Sequence, residues 1–158
     1  LLQVRGRGEP VSLLFADLDG FKRFNDDAGH VKGDELLQAV VRAMESEMRH
    51  GDAVARTGGD EFVIVLPGSS LPEALVVAGR VRSSIASLGS ATGGATRRDP
   101  RISVSIGAAT ALDGESAQQL LERADRAMYV AKRGGGDRVA SDGGGEVAAT
   151  GAGARVSA

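Results

Sequence analysis

Cysteine and tryptophan are absent from this 158-residue sequence, and aromatic residues make up only 3% of it. Without cysteine the chain forms no disulfide, carries no thiolate nucleophile and offers no thiolate to zinc. Because it also has only two histidines, a metal site would have to consist of oxygen ligands. Ligands of that kind select Mg²⁺ or Mn²⁺.

A strong net charge and long hydrophobic runs are also missing. The formal net charge is -2, from 19 basic and 21 acidic residues, so no overall field gathers nucleic acid or an anionic membrane surface. No apolar run reaches the length of a membrane span, and "LLQVRGRGEP" lacks the features of a signal peptide. We therefore expect a cytoplasmic domain, alone or as the cytoplasmic part of a membrane-attached protein, with no nucleic-acid partner and no direct membrane contact.

The first half of the sequence predicts a buried strand followed by helices. The length and the hydrophobic content of 42% are typical of one domain with a buried core. The run "VSLLFADLDG" is apolar and then acidic, as in a central strand that ends in a carboxylate loop. A short helical turn follows, with breaks at Gly29 and Gly33, and "DELLQAVVRAMESEM" has the spacing of an amphipathic helix.

The second half predicts a hairpin and two further helices. The strands "DAVART" and "EFVIVLP" flank Gly58 and Gly59, which predicts a tight turn. A capped helix follows, then a loop in "GSATGGATRRDP". "RISVSIGAAT" alternates, which predicts a strand with Ser103 and Ser105 on a wetter face. "SAQQLLERADRAMYVAKR" predicts the last helix, and "DRVA" a short final strand.

The predicted order is β-α-α-β-β-α-β-α-β. It indicates an α+β, ferredoxin-like sandwich in which helices cover a mostly antiparallel five-stranded sheet. Residues 141–158 are rich in glycine and alanine and have almost no large apolar groups, so we expect a flexible tail there. The folded domain is then expected to span residues 1–140.

Paired carboxylates follow two of the predicted strands. If the first strand lies beside the hairpin, Asp17 and Asp19 approach Asp60 and Glu61. Four carboxylates at one sheet edge repel each other unless a cation neutralises them, which points to Mg²⁺ or Mn²⁺ and to metal-assisted phosphoryl transfer. Any one of these acids alone would more often be a solvated surface group.

Other polar residues near this edge permit two interpretations each. Lys22 and Lys132 are two of only three lysines in the chain, and each is either a phosphate ligand or an ordinary surface lysine. Asn25 and Asp34 either bind the edge of a base or cap helices. Bare backbone at Gly58 and Gly59 would allow a phosphate or base to approach closely.

Four ordered blocks resemble the GGDEF domain, the diguanylate cyclase family. They are "FADLDGFKRFND..GH..GDELL", "R.GGDEF", "SVSIGAA" and "ADRAMYVAKRGG", and the resemblance extends from about Val11 to Val139. It implies a nucleotidyl-cyclase-like fold and the condensation of two GTP into cyclic di-GMP with release of two pyrophosphates. Each of two protomers would hold one GTP, so catalysis would need a homodimer.

The resemblance also implies roles for individual residues. Two Mg²⁺ or Mn²⁺ ions per site would be held by Asp17, the Leu18 carbonyl, Asp60 and Glu61, with Asp17, Asp60 and Glu61 as the catalytic residues. The GTP-binding residues would be Asn25 and Asp34 at guanine, Lys22 and Lys132 at the phosphates, and the backbone of Gly20, Phe21, Gly58 and Gly59.

A second ligand site is implied by "RHGD", which stands at the spacing of the family's RxxD inhibitory motif. Arg49 and Asp52 would bind the product, cyclic di-GMP, and Arg82 resembles the secondary contact, with Arg80 as the weaker candidate. From the residues alone, Arg49 also suits the C-terminus of a helix, followed by a Gly-Asp turn, but its position favours the inhibitory site.

The sequence departs from the family pattern in two places. The "DxLTGLxNR" signature and its N-terminal helix are missing, and Gly136 stands where the family often has a phosphate-binding arginine. Arg133 and Arg138 are the candidate substitutes. These departures leave open an alternative: a weak or inactive module that binds GTP or cyclic di-GMP and regulates a neighbouring sensor or output domain. A third option is a purine nucleotidyl cyclase that uses one nucleotide.

Overall fold

The apolar run after Pro10 forms the longest strand of the sheet. The computed structural model describes residues 8–92, 102–143 and 146–147, in which six strands and four helices are found. In chain order they are β1 (Val11–Asp19), α1 (Phe21–Ala28), α2 (His30–Ser46), β2 (Ala53–Arg56), β3 (Glu61–Pro67), α3 (Leu71–Thr92), β4 (Ser103–Thr110), α4 (Ala117–Arg133), β5 (Val139–Ser141) and β6 (Glu146–Val147).

The strands form one mixed sheet in the order β2-β3-β1-β4-β5-β6. Only the pairing of β4 with β5 is parallel. The predicted element order and the α+β class are confirmed. The structure adds the two-residue strand β6, which pairs with β5 inside the segment predicted as a tail.

Helices cover the sheet on both faces because β1 is apolar on both. Leu14, Ala16 and Leu18 pack with α2 and α3, whereas Leu13 and Phe15 pack with α4. Side chains alternate along a strand, so Asp17 and Asp19 continue the face that carries α4. This alternation decides which helix contacts the acidic end of β1.

Helix α4 approaches the sheet most closely at Gly107 in β4. A Cβ atom there would lie 2.0 Å from the Ala124 carbonyl oxygen, a distance that no side chain tolerates. Glycine thus allows helix and sheet backbones to touch, which fixes the height of α4 above β1 and β4.

Three local predictions differ from the structure. The helices break only at Gly29, and Gly33 lies within α2. β4 has no wet face, because α4 covers one side and Ser105 is fully buried. The loop predicted from Gly89 begins later, since α3 continues to Thr92; positions 93–100 lie outside the described residues.

None of the described helices combines the length and the apolar character that a membrane span requires.

Candidate functional site

A cleft of about 540 Å³ opens where β1 ends and α1 begins. The loop after β1, the first turns of α1, the turn before β3 and the end of α4 meet there. The lining residues are Leu18, Asp19, Gly20, Phe21, Lys22, Arg23, Asp26, Asp27, Asp60 and Lys132.

Strand pairing brings the hairpin acids to the end of β1. Asp17 lies opposite Glu61 in the antiparallel register, and the Leu18 amide donates a hydrogen bond of 3.1 Å to the Asp60 carbonyl. The predicted neighbourhood of β1 and the hairpin is therefore confirmed. β1 and β3 pair because both strands are strongly apolar and bury their side chains in the same core.

Asp17 is buried, with its side chain against the end of α4. Its Oδ1 atom lies 2.5 Å from the Lys132 ammonium and has no other donor in the described part of the chain. Burial raises the pKa of Asp17, Lys132 opposes that rise, and the charges of Asp60 and Asp19 add to it. This carboxylate requires a nearby cation.

Asp19 has a different environment, which sequence reasoning did not foresee. It accepts hydrogen bonds of 2.9 Å from the hydroxyls of Ser103 and Ser105 and from the Asp137 amide. Three donors satisfy the carboxylate without a metal ion. Asp19 therefore anchors the loop after α4 rather than completing a cluster of four free acids.

The donor set fits a hard divalent cation. Asp17 offers a buried oxygen whose neighbour is a cation, Asp60 faces the cleft, and the Leu18 backbone lines it. All of these donors are oxygens, as Mg²⁺ and Mn²⁺ prefer. Among the described residues, no three Asp, Glu or His side chains are close enough together to bind one metal ion. The carboxylates are therefore neighbours, and they would have to move closer to share a metal ion.

The loop after β1 presents backbone and cations to the cleft. Gly20 adopts a left-handed conformation (φ 80°), which favours glycine, and caps α1. Phe21 and Lys22 follow it in the cleft wall, and their contact with phosphate stays a prediction. Arg23 also lines the cleft. The sequence prediction did not name it, although its position beside Lys22 indicated a place near the cleft.

Gly58 and Gly59 lie in the turn between β2 and β3, as predicted, and the close approach of a nucleotide to them stays a prediction. Neither has a left-handed φ. A Cβ on Gly58 would lie 2.8 Å from a Glu61 carboxylate oxygen, so glycine makes room for that side chain. Arg56, which sequence reasoning missed, donates to both glycine carbonyls at 2.8–3.1 Å and fixes the turn.

Asn25 and Asp34 lie on neighbouring helices but do not line the main cleft. Asn25 is joined to His30 by a 2.9 Å hydrogen bond and fills the space that a side chain at Gly33 would need. Asp34 opens on a second cavity of about 450 Å³. The other residues around that cavity are Leu37, Gln38, Val41, Arg42 and Arg56.

Gly136 has a left-handed φ of 73°, and a Cβ there would lie 3.1 Å from the Asp19 carboxylate. Arg133 and Arg138, the candidate substitutes for the missing arginine, contact other groups. The Arg133 guanidinium lies over the Tyr129 ring at 6.0 Å, and Arg138 Nε donates to the Gly136 carbonyl. Neither is among the residues that line the cleft.

Arg49 and Asp52 are brought together as the motif predicts. Asp52 accepts from the Arg49 amide at 3.0 Å and from its Nε at 3.4 Å. The Arg49 Nη2 atom also donates to the Pro67 carbonyl at 2.6 Å and to the Ser69 hydroxyl at 2.9 Å. The arginine is thus held near the start of β1, where Ser12 donates to the Ser69 carbonyl.

The structure does not bring Arg82 to this pair. Arg82 contacts Asp137, which in turn donates to Asp19 at the other end of β1. Asp19 stands seven positions after Ser12 along β1, roughly 23 Å away at ~3.3 Å per residue. Arg80 instead bonds to the Glu47 carbonyl and carboxylate, two residues before Arg49.

Acidic groups, two lysines and the loop after β1 meet at the end of a central strand, an arrangement that can hold a divalent cation together with phosphate oxygens. Comparison with known proteins gives the family. The sequence matches the family described as "Diguanylate cyclase, GGDEF domain" over residues 1–138. The chain therefore belongs to the GGDEF domain family, which confirms the resemblance drawn from the four motifs.

Curated relatives are similar to most of this chain. Diguanylate cyclase DgcM of Escherichia coli (strain K12) is 47% identical over 131 residues, covering 83% of this chain and 30% of that protein. Response regulator PleD of Caulobacter vibrioides is 40% identical over 134 residues, covering 84% and 29%. This chain thus spans about 30% of the length of these relatives.

Solved structures confirm the fold. The GGDEF domain of DgcB from Caulobacter crescentus, in complex with c-di-GMP, superposes with a TM-score of 0.78 at 31% identity, covering 87% of this chain and 80% of that one. The active GGEEF domain of a diguanylate cyclase from Vibrio cholerae gives 0.74 at 30% identity, covering 84% and 83%.

Proposed function

We propose that this chain is a diguanylate cyclase catalytic domain, which condenses two GTP into cyclic di-GMP and releases two pyrophosphates. The observation that supports this most directly is the cleft that joins Asp60, Lys22 and Lys132 beside the buried Asp17. Family membership and relatives named diguanylate cyclases support the same reaction.

The phosphates of GTP would bind along the loop after β1. Lys22 and Lys132 offset the triphosphate charge, and the backbone amides of Gly20 and Phe21 donate to its oxygens. Asp17, the Leu18 carbonyl, Asp60 and Glu61 would hold two Mg²⁺ or Mn²⁺ ions, which supply charge neutralisation and polarise the phosphate oxygens when bound. Glu61 stands beside Gly58, where it would orient the 3′-hydroxyl and accept its proton.

Guanine recognition is assigned to Asn25 and Asp34. A carboxylate accepts from the N–H groups of guanine, and an amide offers both a donor and an acceptor. The cavity at Asp34 has Leu37 and Val41 as an apolar wall, which suits a planar base. To read guanine, Asn25 must exchange its bond with His30.

Each protomer supplies one nucleotide, so the reaction needs a homodimer in which each 3′-hydroxyl attacks the α-phosphate held by the other protomer. The cleft is open to solvent on one side of the sheet edge. We therefore place the symmetry axis in front of this cleft. A sensor or regulatory domain would control the encounter of the two protomers in a larger cytoplasmic assembly.

Product inhibition is assigned to Arg49 and Asp52 with Arg80 in place of Arg82. The Arg49 guanidinium can bind a phosphate through two N–H groups, and Arg80 bonds to Glu47 at the C-terminus of α2, two residues before Arg49. In the structure Arg49 bonds to Pro67 and Ser69, so ligand binding must replace these contacts.

A regulatory module without turnover is the second candidate. The observation that favours it is Gly136, since neither Arg133 nor Arg138 lines the cleft as a substitute. A module would bind GTP or cyclic di-GMP and act on a neighbouring domain.

The test is incubation of the protein at high concentration with GTP and Mg²⁺, with the product identified by mass. We expect cyclic di-GMP from the wild type and none from Asp60→Asn, which keeps the side-chain size but removes the charge. GTP binding by a folded protein without any product would reject the cyclase and leave the regulatory module.

A further inference from the structure

Lys132 contacts the one carboxylate of the site that is buried. Its ammonium lies 2.5 Å from Asp17 Oδ1, and its side chain is 36% exposed while that of Asp17 is 10% exposed. Lys132 also lines the cleft, so one long side chain borders both the acid and the space assigned to phosphate. The ammonium therefore has two anions within its reach.

Asp17 and a phosphate in the cleft would each attract the Lys132 ammonium, which can contact only one of them closely at a time. Asp17 is partly desolvated and feels the negative charges of Asp60 and Asp19, so it needs a positive partner. An ammonium 2.5 Å from Asp17 Oδ1 weakens the binding of a divalent cation to the same carboxylate, because the two cations repel each other at such distances.

We propose that Lys132 and the divalent cation compete for Asp17, and that the triphosphate resolves the competition by drawing the ammonium away. This deepens the function proposed above and rests on it. Metal would then bind Asp17 weakly on its own and well together with nucleotide, so each cleft assembles its charges only when GTP arrives.

The local structure allows this exchange without movement of the helix. Lys132 belongs to the last turn of α4, its side chain is flexible, and residues 134–136 after it are all glycine. The helix itself is fixed by its contact with Gly107, and the following loop by the bond from Asp137 to Asp19. Only the side chain has to turn from Asp17 to the cleft.

The other two lysines provide matched controls. Lys22 lines the same cleft without an ion pair to Asp17, and Lys32 pairs with Glu35 on the surface of α2. Substituting Lys22 tests the general effect of one positive charge fewer in the cleft. Substituting Lys32 tests for non-specific effects of losing a lysine.

The experiment measures Mn²⁺ binding to the protein alone, from the electron paramagnetic resonance signal of free Mn²⁺. We expect Lys132→Met to bind Mn²⁺ on the order of tenfold more tightly than the wild type, the size of a typical coupling between two ligands. Lys132→Arg keeps the charge and should bind as the wild type does. Lys32→Met should show no change, and Lys22→Met a smaller one than Lys132→Met.

The second arm repeats the titration with a non-hydrolysable GTP analogue. The analogue should strengthen Mn²⁺ binding more in the wild type than in Lys132→Met, because only the wild type has an ammonium to withdraw. Circular dichroism confirms that each variant is folded, and Lys132→Gln replaces Lys132→Met if that variant is not.

Unchanged or weaker Mn²⁺ binding in Lys132→Met, or equal tightening in Lys22→Met, would overturn the inference. The cyclase proposal remains valid after either result if the wild type still makes cyclic di-GMP. Conversely, a wild type without product but with the expected Mn²⁺ pattern rejects the proposed function and keeps the competition at Asp17.

Discussion

Asp17 joins two properties that oppose each other, a buried position and a negative charge. Its pKa is raised by burial, and Lys132 offsets only part of that effect. Residues of this kind cost stability and are retained for function. At this scale, the acids and lysines were predictable from sequence because their types and spacing form motifs. The bonds of Asp19 to Ser103 and Ser105 were not, since they join side chains more than 80 positions apart.

The first prediction concerns the stability of Asp17→Asn. A carboxyl with a raised pKa in the folded state costs nothing below its ordinary value of 3.8, where it is protonated in both states. As the pH rises through 3.8 the unfolded chain loses its proton first, so the free energy of unfolding falls and stays reduced at neutral pH. We expect Asp17→Asn to be more stable than the wild type at pH 7, by on the order of 1 kcal/mol.

Urea denaturation at several pH values measures this difference. The advantage of Asp17→Asn should shrink as the pH falls toward 3.8, while cyclase activity is lost throughout. A variant less stable than the wild type at pH 7 would show that the pair with Lys132 outweighs the cost of burial.

At the scale of the elements, helix α4 is held in place by a charged residue at its edge, Arg123. Arg123 is 15% exposed and bonds to the Glu115 carboxylate at 2.7 Å, the Thr110 carbonyl at 3.0 Å and the Asp142 carboxylate. It thereby ties α4 to the loop before it and to the segment after β5. The periodicity of α4 predicted the helix and its buried face, but not the partners of a charged residue at its edge.

The second prediction is that Arg123→Met lowers the free energy of unfolding by about 3 kcal/mol. Glu115 is only 8% exposed in its side chain, so loss of the arginine leaves a buried charge without its partner. Urea denaturation is the measurement, and Arg126→Met, at an exposed position of the same helix, is the control. Equal effects of the two substitutions would contradict the assigned role.

The orientation of helix α3 determines whether Arg80 or Arg82 lies near Arg49. Residues two apart on a helix lie about 200° apart around its axis, so only one of the pair faces Arg49. The motif gave the approximate location of a secondary arginine, whereas the rotation of α3 is set by its buried stripe of Ala74, Ala78, Val81 and Ile85 against the sheet.

The third prediction follows from this orientation. Arg49→Ala and Arg80→Ala should weaken cyclic di-GMP binding roughly 10- to 100-fold, the effect of one charge-assisted contact, and Arg82→Ala should leave it unchanged. Isothermal titration calorimetry measures the affinities. Loss of binding in Arg82→Ala but not in Arg80→Ala would reverse the assignment.

For the whole molecule, the order of elements and the α+β class were predictable because strong apolar runs and caps define each element. The register of β1 against β3 follows from pairing two apolar strands that carry acids at the same end, so that Asp17 lies opposite Glu61. The separation of the two cavities depends on how α1 and α2 pack, through Asn25 against Gly33, and no periodicity reports such a contact.

In the proposed function each chain holds one GTP, so the reaction takes place between two copies of the chain. The most direct measurement follows pyrophosphate and cyclic di-GMP together over a range of protein concentrations. We expect two pyrophosphates for each cyclic di-GMP and a rate per protomer that rises with concentration until dimers saturate. One pyrophosphate per cyclic mononucleotide, at a rate per protomer independent of concentration, would contradict the account and indicate a cyclase that uses one nucleotide.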